Sequence, residues 1–337
     1  MKELACRFSS LVREVRVRLT SVVAYSVLSV SIIAGRAVAQ SQRDAILVTP
    51  DWVATHLHDA NTVVLHVGDP KLYATKHLPG ARLIQLPDIS VSDHGGMQMP
   101  ASASPEPLQG PKNGLILEMP TADQLRSQFS KFGISDNTKV IVYSANGFIT
   151  PMTRVVFTFD YAGLGKNVVV MNGGLEAWVA ENRAVTDAIP PEAKPGKLSA
   201  LAIRPLVVDA NYVNAHAKAA GVSIVDARAT TFYEGAARPG QPGRPGHIPG
   251  AKSVPFSDVT NADGTLKPND QLTALFAKAG VQPADTVVAY CHIGQQATAT
   301  LFAARLLGHP VLLYDGSYTE WEKLTQFPVE NPSAKKP

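Results

Sequence analysis

The stretch Val287-Val288-Ala289-Tyr290-Cys291-His292-Ile293-Gly294-Gln295-Gln296-Ala297-Thr298 ends an apolar, β-type run on a cysteine. An Ala-rich helical segment follows, from Ala297 through Leu307. A strand feeding a tight loop and then a helix turns the loop's backbone N–H groups inward and sets the positive helix end behind them. A thiol in that place is expected to have a lowered pKa and to be partly thiolate at neutral pH. The arrangement describes a nucleophile in an anion cradle; the plainer alternative is a small buried hydrophobe. Gly294 suits the tight turn because it tolerates positive φ. A cysteine phosphatase would place an arginine six residues after the cysteine to grip phosphate bidentately, and positions 297 and 298 are Ala and Thr. A cysteine hydrolase would need a histidine within hydrogen-bond reach, and His292 is the only close candidate in sequence.

The elements that position this loop come from a chain of 337 residues, 45% of them hydrophobic, enough for about two cored domains. Residues 1–39 read as a secretory signal. Arg7, Arg13, Arg16 and Arg18 precede a mostly apolar run from Leu19 to Ala34, and Ala37-Val38-Ala39 forms a cleavage site before Gln40. The expected location is therefore periplasmic or secreted, with no membrane attachment after cleavage; the alternative is an uncleaved anchor. The first 39 residues hold six of the Lys and Arg and two of the acids. The remainder carries 25 bases against 26 acids, a net charge of −1, which argues against a nucleic-acid partner. It keeps one cysteine, Cys291, so an internal disulfide is excluded. A lone thiol in an oxidising compartment is either buried or kept for chemistry. There is no CxxC and no zinc-site spacing, and neither a metal nor an organic cofactor is expected.

Four landmarks occur twice in the same order. The first set is Val63-Val64-Leu65-His66-Val67-Gly68, His77-Leu78-Pro79-Gly80-Ala81, Val140-Ile141-Val142-Tyr143-Ser144 and Gly173-Gly174-Leu175-Glu176-Ala177-Trp178. The second is Ser223-Ile224-Val225-Asp226-Ala227-Arg228, His247-Ile248-Pro249-Gly250-Ala251, Val287-Val288-Ala289-Tyr290-Cys291 and Gly316-Ser317-Tyr318-Thr319-Glu320-Trp321. The chain is a duplicated domain. Loops interrupt the copies between Ser92 and Gly114 and between Gly235 and Gly246.

In the first copy, strands are predicted at Val63–Val67, Lys139–Tyr143 and Asn167–Met171, and helices at Trp52–Ala60, Ala122–Phe132 and Thr153–Ala162. In the second, strands are predicted at Ser223–Asp226, Thr286–Tyr290 and Val311–Tyr314, and helices at Ala210–Ala219, Asn269–Ala279 and Ala297–Leu307. Alternation of this kind implies α/β domains, each a parallel sheet flanked by helices. The Pro-rich run Pro190 to Gly196 breaks the pattern. The expected division is a signal peptide at 1–39, an N-terminal domain at 44–186, a linker at 187–200 and a C-terminal domain at 201–330. Asn331 to Pro337 reads as a polar tail.

The combination of Val-Asp-Ala-Arg at 225–228, His-Ile-Pro-Gly-Ala at 247–251, Tyr-Cys at 290–291 and Tyr-Asp-Gly-Ser at 314–317 with Trp321 resembles the tandem rhodanese sulfurtransferases. It covers residues from about 44 to about 330. The resemblance implies two tandem rhodanese-like domains, the C-terminal one catalytic and the N-terminal one inactive. The sequence fits: Ser144 stands where the second copy has Cys291, and Gly68 where it has Arg228. Ser144 lacks an accessible thiolate, and a nucleophilic role for it would need a nearby base.

The implied reaction is sulfur transfer through a Cys291 persulfide, from a donor such as thiosulfate to a thiophilic acceptor such as cyanide or a thiol. The loop His292, Ile293, Gly294, Gln295, Gln296 and Ala297 would bind the donor through converging N–H groups. Family members using thiosulfate often carry basic residues after the cysteine, and those using 3-mercaptopyruvate often carry Gly-Ser-Gly. Cys-His-Ile-Gly-Gln-Gln matches neither, so both donors stay open, with thiosulfate preferred. His292 is a pH-dependent cation or a solvated loop residue. Gln295 and Gln296 either bond an oxyanion or shape the loop. Arg228 contacts a sulfonate or carboxylate, or else forms a salt bridge with Asp226 or Glu234. His77 and His247, Trp178 and Trp321 recur in both copies and read as framework. A monomer is expected. A persulfide carrier or binding protein is the non-enzymatic alternative.

Overall fold

Runs of β-branched residues set the strands, and the capped, apolar-faced segments between them set the helices. The computed structural model describes residues 40, 42–93, 108–109, 114–236 and 243–334. The expected signal segment 1–39, much of the two interrupting loops and the last three residues of the tail lie outside the described residues. The first repeat comprises β1 (Leu47–Val48), α1 (Pro50–His56), β2 (Thr62–Val67), α2 (Pro70–Tyr73), β3 (Arg82–Leu83), β4 (Val91–Ser92), β5 (Leu108–Gln109), α3 (Ala122–Lys131), β6 (Lys139–Ser144), α4 (Ile149–Tyr161), β7 (Val168–Met171) and α5 (Gly174–Ala180). The second comprises β8 (Val207–Val208), α6 (Ala210–His216), β9 (Val222–Asp226), α7 (Thr230–Tyr233), β10 (Lys252–Ser253), α8 (Asn269–Lys278), β11 (Thr286–Tyr290), α9 (Ala297–Leu306), β12 (Val311–Tyr314) and α10 (Ser317–Trp321).

The two main sheets have the same order, β1-β7-β6-β2-β3 and β8-β12-β11-β9-β10, and every pairing within them is parallel. Parallel sheets need cover on both faces. One face of the first sheet packs Val53, Ile141, Tyr143, Leu175 and Trp178, and the matching face of the second packs Val213, Ile224, Tyr290, Tyr314 and Trp321. The other two faces share one continuous core. It runs through Val155, Val156 and Phe159 of α4 and Ala299, Leu301 and Phe302 of α9, and these two helices pack on each other.

Helix α4 starts at Ile149, four residues before the predicted start at Thr153. Pro151 falls in the first turn, where its missing N–H has no intrahelical partner to lose. The edge strands of two residues each were too short to show a period. The linker carries no helix or strand from 187 to 204, yet it is fastened to the N-terminal domain. Ser130 exchanges hydrogen bonds with Gly196, its carbonyl accepting at 2.8 Å and its hydroxyl donating at 2.6 Å. Ser199 donates to Asp136 through both its N–H and its hydroxyl.

The repeated landmarks form one hydrogen-bond frame built twice. Tyr143 Oη accepts the Leu78 N–H, and Tyr290 Oη accepts the Ile248 N–H, each at 3.1 Å. His77 Nδ1 lies 2.6 Å from the Tyr73 carbonyl and His247 Nδ1 2.7 Å from the Tyr233 carbonyl. Trp178 and Trp321 are buried and donate Nε1–H to Ala184 and Pro328. These residues hold turns to strands.

The copies diverge beside this frame. His66 takes the place of Asp226 and Gly68 that of Arg228. His66 is fully buried, with Nδ1 2.9 Å from Tyr143 Oη, and burial followed by the nearby His77 pushes its pKa down to about 4. The folded state therefore binds fewer protons than the unfolded state between about pH 4 and 6.5, and stability falls as pH drops through that window. The loss is expected to reach about 3 kcal/mol. Urea unfolding of His66→Gln between pH 7 and 4 should show a flatter decline than the parent; parallel declines would remove His66 as the cause.

Candidate active site

Ligands of open α/β sheets bind beyond the carboxyl ends of the strands, where successive connections diverge. Here the connections diverge between β9 and β11, which pair with Asp226 opposite Tyr290. Arg228 and Cys291 follow those two strands. Cys291 is fully buried. The loop after it, with Gly294 at φ +78°, aims the backbone N–H groups of Ala297, Ile293, Gln296 and Gly294 at the sulfur, with α9 starting directly behind. This is the converging cradle expected of the loop.

The charge state differs from expectation. Burial outweighs the four N–H donors and pushes the Cys291 thiol up from its ordinary value rather than down. The sequence showed the helix end and the donors, but not how deeply the thiol would be buried. Desolvation favours the neutral form.

Helix α10 clamps the cysteine from the other side. Ser317 Oγ accepts the Cys291 N–H at 3.2 Å and donates to the Tyr314 carbonyl at 2.9 Å. Tyr318 and Thr319 donate their N–H groups to the Cys291 and His292 carbonyls at 3.0 and 3.1 Å. Ser317 holds φ +54°, a backbone region that disfavours side chains, and its counterpart in the first copy is Gly174 at φ +60°. A Cβ at Gly174 would press on the Ser144 main chain; at 317 the added hydroxyl is what holds the Cys291 N–H. Ser317→Ala keeps the strain and removes the bond, so it should cost about 1–3 kcal/mol. Denaturant unfolding would measure this, and a variant as stable as the parent would show the bond to be expendable.

Arg228 is buried and meets Asp226 bidentately, Nε to Oδ1 at 3.0 Å and Nη2 to Oδ2 at 2.6 Å. Nη2 also donates to the Gly246 carbonyl at 2.7 Å, and the guanidinium lies 4.0 Å from the Tyr318 ring centre. Of the partners offered by the sequence, the structure takes Asp226. Desolvation lowers the Arg228 pKa, but the Asp226 hydrogen bonds and charge outweigh it and the net shift is upward. Arg228 also lines a cavity of about 250 Å³ with Phe232, Arg244, His292, Tyr318 and Thr319 among others. The half-buried His292 ring stands edge-on to Phe232, centroids 4.5 Å apart. Gln295 turns its amide away, donating to Thr150 Oγ1 of the N-terminal domain at 3.0 Å, so it shapes the loop. Gln296 is half-buried and contributes its N–H.

Arg244 and Phe232 escaped sequence reading. Arg244 lies in the Gly/Pro/Arg-rich loop, and its guanidinium is held by the Leu324 and Phe327 carbonyls at 3.3 and 2.7 Å. Its position three residues before the HIPGA turn was the available signal. In the first copy one N–H of the matching loop is taken by a side chain of the same domain: the Glu176 carboxylate accepts the Asn146 N–H at 2.6 Å.

A duplicated parallel α/β unit with, among the described residues, one buried thiol, ringed by N–H groups at the end of a central strand, defines a class. A Rhodanese-like domain model matches residues 49–181 and again 209–324. The chain belongs to the rhodanese family, as a tandem pair of its domains. It is 31% identical over 297 residues to "Sulfur carrier protein TtuD" of Thermus thermophilus, covering 84% of this chain and 96% of the relative. It is 31% identical over 303 residues to a Haloferax volcanii protein named provisionally as a thiosulfate sulfurtransferase, covering 85% and 96%. A Pseudomonas aeruginosa protein named provisionally as a 3-mercaptopyruvate sulfurtransferase is 30% identical over 288 residues, covering 82% and 95%. Among solved structures, wild-type EanB matches with a TM-score of 0.71 at 20% identity, covering 87% of this chain and 70% of EanB. YnjE matches with a TM-score of 0.70 at 25% identity, covering 85% and 68%.

Proposed function

We propose that the protein is an exported sulfurtransferase that moves a sulfane sulfur from thiosulfate to cyanide or a thiol through a persulfide on Cys291. The observation that carries this reading is the buried Cys291 thiol with four backbone N–H groups on its sulfur. The Cys291 thiolate attacks the outer sulfur of the donor. The donor's S–S bond breaks, and sulfite leaves with the electron pair. An acceptor nucleophile then attacks the outer sulfur of the persulfide and releases the Cys291 thiolate. The N–H cradle stabilises the anionic sulfur in both steps. His292 and Arg244 face the cavity as the groups that receive the donor's charged end, since Arg228 is already neutralised by Asp226. Export rests on the amino-terminal sequence alone.

Two relatives' names keep alternatives in view: 3-mercaptopyruvate as donor, and a carrier that is sulfurated once and handed to a partner protein. Intact mass of the protein after thiosulfate, then after cyanide, separates them. A gain of one sulfur removed by cyanide, with repeated cycles, supports the enzyme and its donor. A gain only with mercaptopyruvate moves the donor assignment. A gain without cycling on small acceptors favours the carrier, and no gain with either donor overturns the reading.

A further inference from the structure

The N-terminal domain has lost its nucleophile, yet one of its side chains reaches the Cys291 loop. Arg154 on α4 is fully buried. Its Nη1 donates to Asp315 Oδ1 at 2.7 Å and approaches the Gly294 carbonyl at 3.4 Å, and Nη2 donates to the Leu117 carbonyl. The other Asp315 oxygen accepts the Met119 N–H at 2.7 Å, a second grip from the same domain. Thr150, Thr153 and Arg154 share one helix face by their spacing. The first two meet Gln295 and Thr298 at 3.0 Å each, so the whole face of α4 is turned onto the loop and the start of α9.

Gly294 explains what this contact does. Its N–H serves the sulfur and its carbonyl faces Arg154. Glycine is required there twice: for φ +78°, and because a Cβ would stand 2.8 Å from Asp315 Oδ1 and 3.0 Å from Arg154 Nη1. Glycine's freedom at such a position is also its cost, because nothing in the residue keeps its peptides aimed. The Arg154–Asp315 pair removes that freedom by filling the side-chain space and anchoring the carbonyl. Asp315 in turn lies two residues from Ser317, which holds the Cys291 N–H.

We propose that Arg154 is a positioning residue for Cys291, supplied across the domain boundary by the copy that has no chemistry of its own. In its effect on sulfur loading the proposal rests on the function proposed above; in its effect on the thiol it does not.

The test compares the full chain with R154K and with the double variant R154M/D315N, which avoids leaving Asp315 buried and unpaired. The first readout is the pH dependence of Cys291 alkylation by iodoacetamide, followed by mass, which needs no sulfur transfer. Its midpoint should move to higher pH in both variants, because the N–H support of the thiolate is loosened. The second is the rate of sulfur loading from thiosulfate. The maximal rate should fall about ten- to a hundredfold, the range expected for a reacting group displaced by around an ångström, while the donor KM changes much less. Folded variants with the parent's alkylation profile overturn the proposal. If the double variant does not fold, R154K, which keeps a cation opposite Asp315, carries the same test. If the parent takes up no sulfur, the functional reading fails while the alkylation profile still decides the role of Arg154.

Discussion

Cys291→Ser is expected to lower sulfur transfer by at least about 10³-fold, the scale on which loss of a covalent nucleophile is felt, while leaving the melting temperature close to the parent's. The hydroxyl is isosteric enough to sit under the same four N–H donors, and it loses no packing partner of consequence. It cannot supply an accessible anion at neutral pH, so the first S–S bond is never broken. Turnover with thiosulfate and cyanide would check the first half and thermal unfolding the second. Normal turnover in the serine variant would remove Cys291 from the mechanism. In the parent, the loading rate should keep rising with pH past the ordinary thiol value, because burial raises the Cys291 pKa and only the thiolate attacks.

Arg228→Ala is expected to be strongly destabilising, by about 3–5 kcal/mol, with a melting-temperature drop of several degrees. Arg228 and Asp226 are buried and joined by two parallel hydrogen bonds. Removing the guanidinium leaves the buried Asp226 carboxylate without its counterion, and that penalty exceeds the net worth of the pair. The guanidinium also stacks over Tyr318, whose N–H holds the Cys291 carbonyl, so a rise in donor KM accompanies the loss. Arg228→Ala combined with Asp226→Ala should recover part of the stability, because the stranded charge is gone. An Arg228→Ala single variant within about 1 kcal/mol of the parent would return Arg228 to a role in donor binding alone.

Much of this was legible in the residues. The repeat, the central strands and the N–H cradle follow from patterns that local physics dictates: β-branched runs, a cysteine at a strand end, a glycine at the turn. The Arg228–Asp226 pair was open as one of two readings, because spacing shows that two charges are near but not which way they turn. The thiol's charge state was misjudged because burial depends on every element around Cys291, and those elements are far off in sequence. Arg154 was invisible for the same reason. It lies 140 residues from Gly294, in the copy that carries Ser144 and Gly68 where the other carries Cys291 and Arg228. A Thr/Thr/Arg face on α4 reads as an ordinary helix until the partner helix is known.

The shared core of α4 and α9 bears on how such a chain can change over generations. Once two copies bury their inner faces together, a deletion that halves the gene exposes Leu301 and Phe302 on one product and Val156 and Phe157 on the other. Changing one residue at a strand end, by contrast, costs the fold little. A chain built this way can therefore vary its strand-end residues far more freely than it can lose either half.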